Sequence, residues 1–208
     1  MELRRRGERI HRILEAHYPE IQSLLKFHNP YELLIAVILS AQTTDAQVNA
    51  VIPKLFASFP TPASLATAGQ EEVEAIIQST GFYRVKAHNI RRTAQAIVEN
   101  HGGEVPVAME ELLKLPGVGR KSANVIRGIC FNLPAIIVDT HFKRVVMRLG
   151  LVDEKDPSKI EKAVSALLPD SSQLPFSMRI NRHGRLICRA RRPECVSCPL
   201  RPECLYPS

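Results

Sequence analysis

Leu115-Pro116-Gly117-Val118-Gly119-Arg120-Lys121 stands between two stretches of helical periodicity, Met109 to Leu115 and Gly119 to Phe131. Pro116 stops the first stretch, and two glycines two residues apart let the chain turn sharply before the second begins. A helix, hairpin and helix in that order aim the backbone N–H groups at the second helix's positive end outward, an arrangement that binds phosphate. Taken alone, Gly-x-Gly is a weak signal. Its weight comes from the rest of the chain.

Working outward, helical signals run the whole length and strand signals are scarce. Glu8 to His17 is amphipathic, Pro30 opens an apolar segment through Ala41, and Asp45 can cap a segment to Phe59 that contains Pro53. Thr61-Pro62 reads as a cap followed by proline at the first helical position, and Glu71 to Thr80 ends at Gly81. Lys86 to Asn100 ends before Gly102-Gly103, and Thr140 to Leu149, Pro157 to Leu168 and Phe176 to Ile187 complete the series. About ten short helices predict an all-α fold. No repeat period and no Gly/Ser linker marks a boundary.

The charge leans toward a polyanionic partner: 28 basic against 21 acidic side chains leave +7. From Ser171 to Ser208, seven arginines face only Glu194 and Glu203, so this tail carries +5 of that +7, with no lysine in it. Arginine's planar fork suits phosphate oxygens, although a solvated basic surface would have the same composition. The longest apolar run, Leu33 to Leu39, is far short of the ~20 residues that cross a bilayer. The basic Arg4-Arg5-Arg6 start leads into no apolar signal core, so a membrane or secreted protein is not expected.

The tail also holds Cys188, Cys195, Cys198 and Cys204, spaced C-x6-C-x2-C-x5-C, while Cys130 lies apart in an apolar helix as a core residue. Residues 189–208 have almost nothing with which to build a core, so a covalent or coordinative tie is expected. Disulfides are disfavoured without a secretion signal and with an odd cysteine left over. Zinc prefers two close C-x2–4-C pairs, and only Cys195 and Cys198 are that close. The staggered gaps suit a cubane iron–sulfur cluster better, with zinc and unliganded thiols as alternatives.

Two further residues can carry chemistry. Lys121 falls in the first turn of the second hairpin helix, where it can contact phosphate or act as an amine nucleophile in a closed, dehydrated site. Asp139, in Val138-Asp139-Thr140-His141, opens a helix. It can cap that helix, or face Lys121 and stabilise positive charge on an attacked sugar. His141 is a general base or, more simply, a structural or phosphate-contacting histidine.

The hairpin Leu115 to Lys121, the segment Val138 to His141, the run Leu39-Ser40-Ala41-Gln42-Thr43-Thr44-Asp45 and the four-cysteine tail together resemble the endonuclease III family of helix-hairpin-helix DNA glycosylases. The resemblance spans nearly the whole chain, and the joint order of the four motifs is specific. It implies a monomeric, cytoplasmic repair enzyme, nucleoid-associated when bound to duplex DNA carrying damaged bases or abasic sites. Such an enzyme flips an oxidised pyrimidine out of the stack, cuts its glycosidic bond, and nicks the strand by β-elimination. The family's nucleophilic lysine falls on Lys121 and its catalytic aspartate on Asp139. One [4Fe-4S] cluster falls on Cys188, Cys195, Cys198 and Cys204. DNA contacts fall on Gly117, Val118, Gly119, Arg120 and His141, with Arg189, Arg191 and Arg192 on the basic loop. Gln42 and Phe82 match the residues that fill the gap left by the flipped base. The second position is often leucine, and a phenyl ring keeps the physics of a wedge. The implied architecture is a six-helix domain at 22–133 and a cluster domain from 1–21 and 134–208, with the active site between them.

Three competitors have distinct signatures. A monofunctional mismatch adenine glycosylase shares the hairpin and cluster but lacks the nucleophilic lysine and carries a further C-terminal domain, whereas Lys121 is present and four residues follow Cys204. A non-catalytic hairpin module would bind DNA without forming a Schiff base. A ferredoxin-type electron carrier would need neither the hairpin nor the basic loop.

Overall fold

The computed structural model describes residues 2–206. In chain order its helices are α1 Glu2–His17, α2 Pro30–Leu39, α3 Asp45–Ser58, α4 Pro62–Thr67, α5 Gln70–Ile77, α6 Tyr83–His101, α7 Met109–Lys114, α8 Arg120–Phe131, α9 Thr140–Arg148, α10 Pro157–Ser165 and α11 Asp170–Leu186. Single 3-10 turns cover Gln78–Thr80 and Arg201–Glu203, and there is no strand among the described residues. The fold is all-α. It divides into two compact units, one of residues 23–131 and one built from both chain ends, 1–22 and 132–208.

In the 23–131 unit, α2 is the central helix. Asn29 caps it by accepting from the Glu32 N–H at 2.9 Å, Pro30 pre-sets its first turn, and every residue from Tyr31 to Leu39 is buried. A helix apolar on all sides must be surrounded, and α3, α6 and α8 pack against it. Asp45 does not cap α3. Thr44 does so through a capping box with Gln47, because the hydroxyl one residue earlier reaches the Gln47 N–H while the Gln47 side chain returns to Thr44. Thr61 and Ser64 repeat the device at α4. The run from Glu71 to Thr80 splits into α5 and a tighter 3-10 turn. Helix α6 begins at Tyr83, three residues before the expected Lys86.

The unit of the chain ends has its own core, where Ile10, Leu14 and Tyr18 of the N-terminal segment meet Phe142, Val145, Val146, Phe176 and Ile180. Helix α1 starts at Glu2 and not Glu8, so its charged first turns extend beyond the amphipathic stretch. Buried Arg179 holds the end of α1, donating to Tyr18 O at 3.0 Å and to the Glu15 carboxylate at 3.1 Å. Helix α11 begins at Asp170 and runs through Pro175, which the sequence suggests as a boundary. Its first turn has local support, since the Gln173 amide donates to Asp170 Oδ1 at 3.1 Å, and Phe176 is anchored in the core. Ser177 bonds both the N–H and the carbonyl of Ile137, fastening the segment before α9 onto α11. The tail is less coreless than its composition suggests, because Leu200 is buried.

Candidate functional site: hairpin, helix cap and cysteine cavity

The hairpin between α7 and α8 closes with Val118 N–H donating to Leu115 O at 3.1 Å, and both side chains are buried beneath it. Thr93 on α6 donates to Pro116 O at 2.7 Å. Gly117 has φ +78°, and a Cβ there would stand 3.1 Å from Ile38 Cγ2 and 3.3 Å from Asn89 Cβ. Its glycine therefore lets the hairpin dock closely onto α2 and α6. Gly119 differs: a Cβ there meets no protein atom within 4 Å, so the space beyond it is open. Arg120 and Lys121 are exposed in the first turn of α8, at the positive end of its dipole.

Two other residues of this unit hold left-handed backbone despite side chains that disfavour it: Gln42 at φ 55° and Phe82 at φ 47°. Such strain, when it persists, is a pointer to function. Phe82 is 67% exposed at the start of α6. The turn before it is held from below by Lys86, only 4% exposed, whose ammonium donates to Thr80 O at 2.7 Å. Burial lowers the Lys86 pKa from the ordinary lysine value.

In the other unit Asp139 is the N-cap of α9. Its Oδ1 accepts from the Phe142 N–H at 2.7 Å, and its Oδ2 accepts from the Asn181 side-chain amide on α11. His141 is half-buried and its Nδ1 faces Arg144 Nη2 at 3.2 Å. Arg144 also donates to Cys188 O at 3.1 Å and to Gly184 O at 2.8 Å. His141 is thus built into the α9–α11 packing.

Cys188, Cys195, Cys198 and Cys204 line one cavity, with His183, Arg148 and Leu200 on its wall. No three His, Cys, Asp or Glu side chains among the described residues converge as a single metal ion requires. A tetrahedral zinc site would hold its sulfurs about 3.8 Å apart, from a Zn–S length of about 2.3 Å. Burial, with the neighbouring cysteines, pushes the Cys198 thiol up, against a backbone hydrogen bond from Leu200. Arg148 clamps the loop, donating to Cys188 Sγ at 3.3 Å, Arg189 O at 2.7 Å and Ala190 O at 3.1 Å, with Tyr206 stacked on its guanidinium at 4.4 Å. His183 lies between the Tyr18 hydroxyl, 3.2 Å from Nδ1, and Cys198 Sγ, 3.5 Å from Nε2. Burial, and secondarily His17, push His183 down to about 4, so the ring is neutral at pH 7. On the loop itself Arg189, Arg191 and Arg192 are all exposed, and Arg189 is paired with Glu194 at 3.2 Å. Cys130 is half-buried in α8 and not in the core, its thiol pushed up to about 11 by desolvation.

Residues 35–170 match the HhH-GPD superfamily of base excision DNA repair proteins. The chain is 46% identical to an endonuclease III of Synechocystis over 202 residues, covering 97% of this chain and 92% of that one. It is 40% identical to endonuclease III of Escherichia coli K12 over 93% of this chain and 92% of that one. This chain belongs to the endonuclease III family. A solved non-covalent endonuclease III–DNA complex superposes with a TM-score of 0.92 at 40% identity, covering 97% and 95% of the two chains, and a trapped covalent endonuclease III–DNA intermediate does so equally well.

Within this endonuclease III fold, motif reading does not reach Asn181, Arg148, His183 or Lys86. Asn181 meets its partner 42 residues away and Arg148 meets Cys188 40 residues away, so no local spacing announces them. Lys86 had a usable signal, a lysine placed among the apolar positions of a helix, which is costly unless it is bonded.

Proposed function

We propose that this base-excision-repair glycosylase and AP lyase acts through Lys121 as covalent nucleophile and Asp139 as electrostatic partner, on duplex DNA bearing oxidised pyrimidines or abasic sites. The observation that carries the reading is the placement of an exposed lysine in the first turn of α8, directly after a hairpin whose outer glycine faces open space. The hairpin N–H groups hold a phosphate, which brings the sugar to the amine. Lys121 Nζ, in its neutral form, bonds to C1′ as the bond from C1′ to the base breaks, and the departing base takes up a proton. The amine loses a proton and the sugar ring opens to an iminium. That iminium acidifies C2′, so removal of a C2′ proton expels the 3′ phosphate. Water then hydrolyses the iminium and frees Lys121. The Asp139 carboxylate, held at the start of α9, stabilises the positive charge that develops at the sugar.

Gln42 and Phe82 are proposed to occupy the gap left by the flipped base, their left-handed backbones presenting side chains outward. The four cysteines of the chain-end unit are proposed to hold one [4Fe-4S] cluster. An all-thiol donor set around one cavity suits such a cluster. When bound, the cluster supplies four Fe–S bonds that fix the path of residues 188–204. The enzyme is proposed to work in the cytoplasm on nucleoid DNA.

Lys121→Gln tests the central step. The variant is expected to bind an abasic duplex with wild-type affinity, since the hairpin backbone is untouched, and to lose borohydride cross-linking and strand cleavage. Cross-linking that persists in the purified variant would remove Lys121 from its role.

A further inference from the structure

We propose that Asn181 is a positioning residue for the reaction, setting the orientation of the Asp139 carboxylate; this rests on the reading of Asp139 as the charge-stabilising group. An N-cap bond alone leaves a carboxylate only partly determined, because Oδ1 on the Phe142 N–H still allows rotation about the Cβ–Cγ bond. The second oxygen is claimed by Asn181 Nδ2. Which end of the Asn181 amide faces Asp139 is itself decided by the fold: Arg185, one turn along α11, donates from Nε to Asn181 Oδ1 at 2.9 Å. A guanidinium only donates, so the amide oxygen must turn toward Arg185 and the NH2 toward the carboxylate.

The spacing that makes this possible comes from Gly184. A Cβ there would lie 3.0 Å from both His141 Cβ and Val145 Cγ2, so α11 crosses α9 closely enough for an asparagine side chain to span the gap. Asp139 therefore has one oxygen on its own helix and one on a neighbouring helix, which holds the carboxylate plane at two points. A group meant to stabilise charge at a fixed place on a sugar depends on such preorganisation.

The test is a double-mutant cycle on the full chain under single-turnover conditions, using a duplex with one natural abasic site and borohydride trapping as the readout. Asn181→Leu keeps the side-chain size without the donor, and Asn181→Ala keeps the helix without crowding. Both are expected to trap about 10-fold more slowly with unchanged duplex affinity and a melting temperature close to that of the parent. In an Asp139→Asn background the same changes are expected to add nothing. Wild-type trapping by both single variants, or a full 10-fold further loss in the Asp139→Asn background, would overturn the role of Asn181. If Asp139→Asn alone traps at the wild-type rate, the reading of Asp139 itself fails, and the assignment of Asn181 with it.

Discussion

Gly117 and Gly119 are two residues apart and need to be glycine for different reasons. Gly117 combines a positive φ with near neighbours on Ile38 and Asn89, so its replacement acts on the fold. Gly117→Ala is expected to cost about 1–3 kcal/mol, from left-handed strain and overpacking together, read as a drop in melting temperature. Gly119 has open space where its Cβ would be, so Gly119→Ala is expected to stay within about 0.5 kcal/mol of the parent in stability. The same variant is expected to bind duplex DNA more weakly, because the added methyl would stand in the open space proposed for a phosphate. A Gly119→Ala protein with unchanged DNA affinity would mean that the backbone at this position does not touch DNA. Gln42 and Phe82 show the reverse situation, in which a side chain is kept at a conformation that glycine would hold more cheaply.

At the scale of the element, the loop from Cys188 to Cys195 is shaped by Arg148 of α9 as well as by its cysteines. Three of its carbonyl or sulfur groups accept from that one guanidinium. The loop's three arginines are not equivalent. All three are exposed, but Arg189 shares its charge with Glu194 at 3.2 Å and donates to Leu186 O at 3.1 Å, so Arg191 and Arg192 have the most charge to offer phosphate. Each phosphate neutralised contributes about 0.9 to the slope of log affinity against log salt. Arg191→Ala with Arg192→Ala is therefore expected to flatten the slope by up to about 1.8, with the rate of trapping at saturating DNA retained. Measured Kd values for an undamaged duplex at several salt concentrations decide it; an unaltered slope would make this loop a solvated surface.

Over the whole molecule, two units with separate cores share one chain, and the second is closed by its ends. Arg6 reaches the carbonyls of Leu149 and Glu203, and Arg9 donates to the Glu203 carboxylate at 2.7 Å, so α1 pins the tail from a distance of nearly 200 residues. That pinning and Leu200 are modest anchors for residues 188–206, and the proposed ligation by four thiols is the stronger one. Cys198→Ser is expected to raise amide exchange and proteolytic cleavage across 188–206 while α2, α6 and α8 of the 23–131 unit keep their protection. Equal loss of protection in both units would show that they unfold as one.

What the sequence determined by itself is what nearest neighbours encode. Pro30 opening α2, the Thr61 cap before α4, the break at Pro116 and the Gly-x-Gly turn all follow from backbone preferences within three or four residues, and together they make the all-α class legible. The joint occurrence of hairpin, Asp139 segment and cysteine spacing carried the family. Where local rules failed, packing had outweighed them: α11 runs through Pro175 because Phe176 and Ile180 are buried in the core, and Thr44 displaces Asp45 as a cap because its partner Gln47 completes a box. Only the tertiary structure decided that Gly117 faces protein and Gly119 faces open space, that Arg189 is already paired, and that Asn181 holds the second oxygen of Asp139. These contacts join residues that folding brings together from different helices or across a loop, and side-chain geometry at that range leaves no period or spacing in the chain.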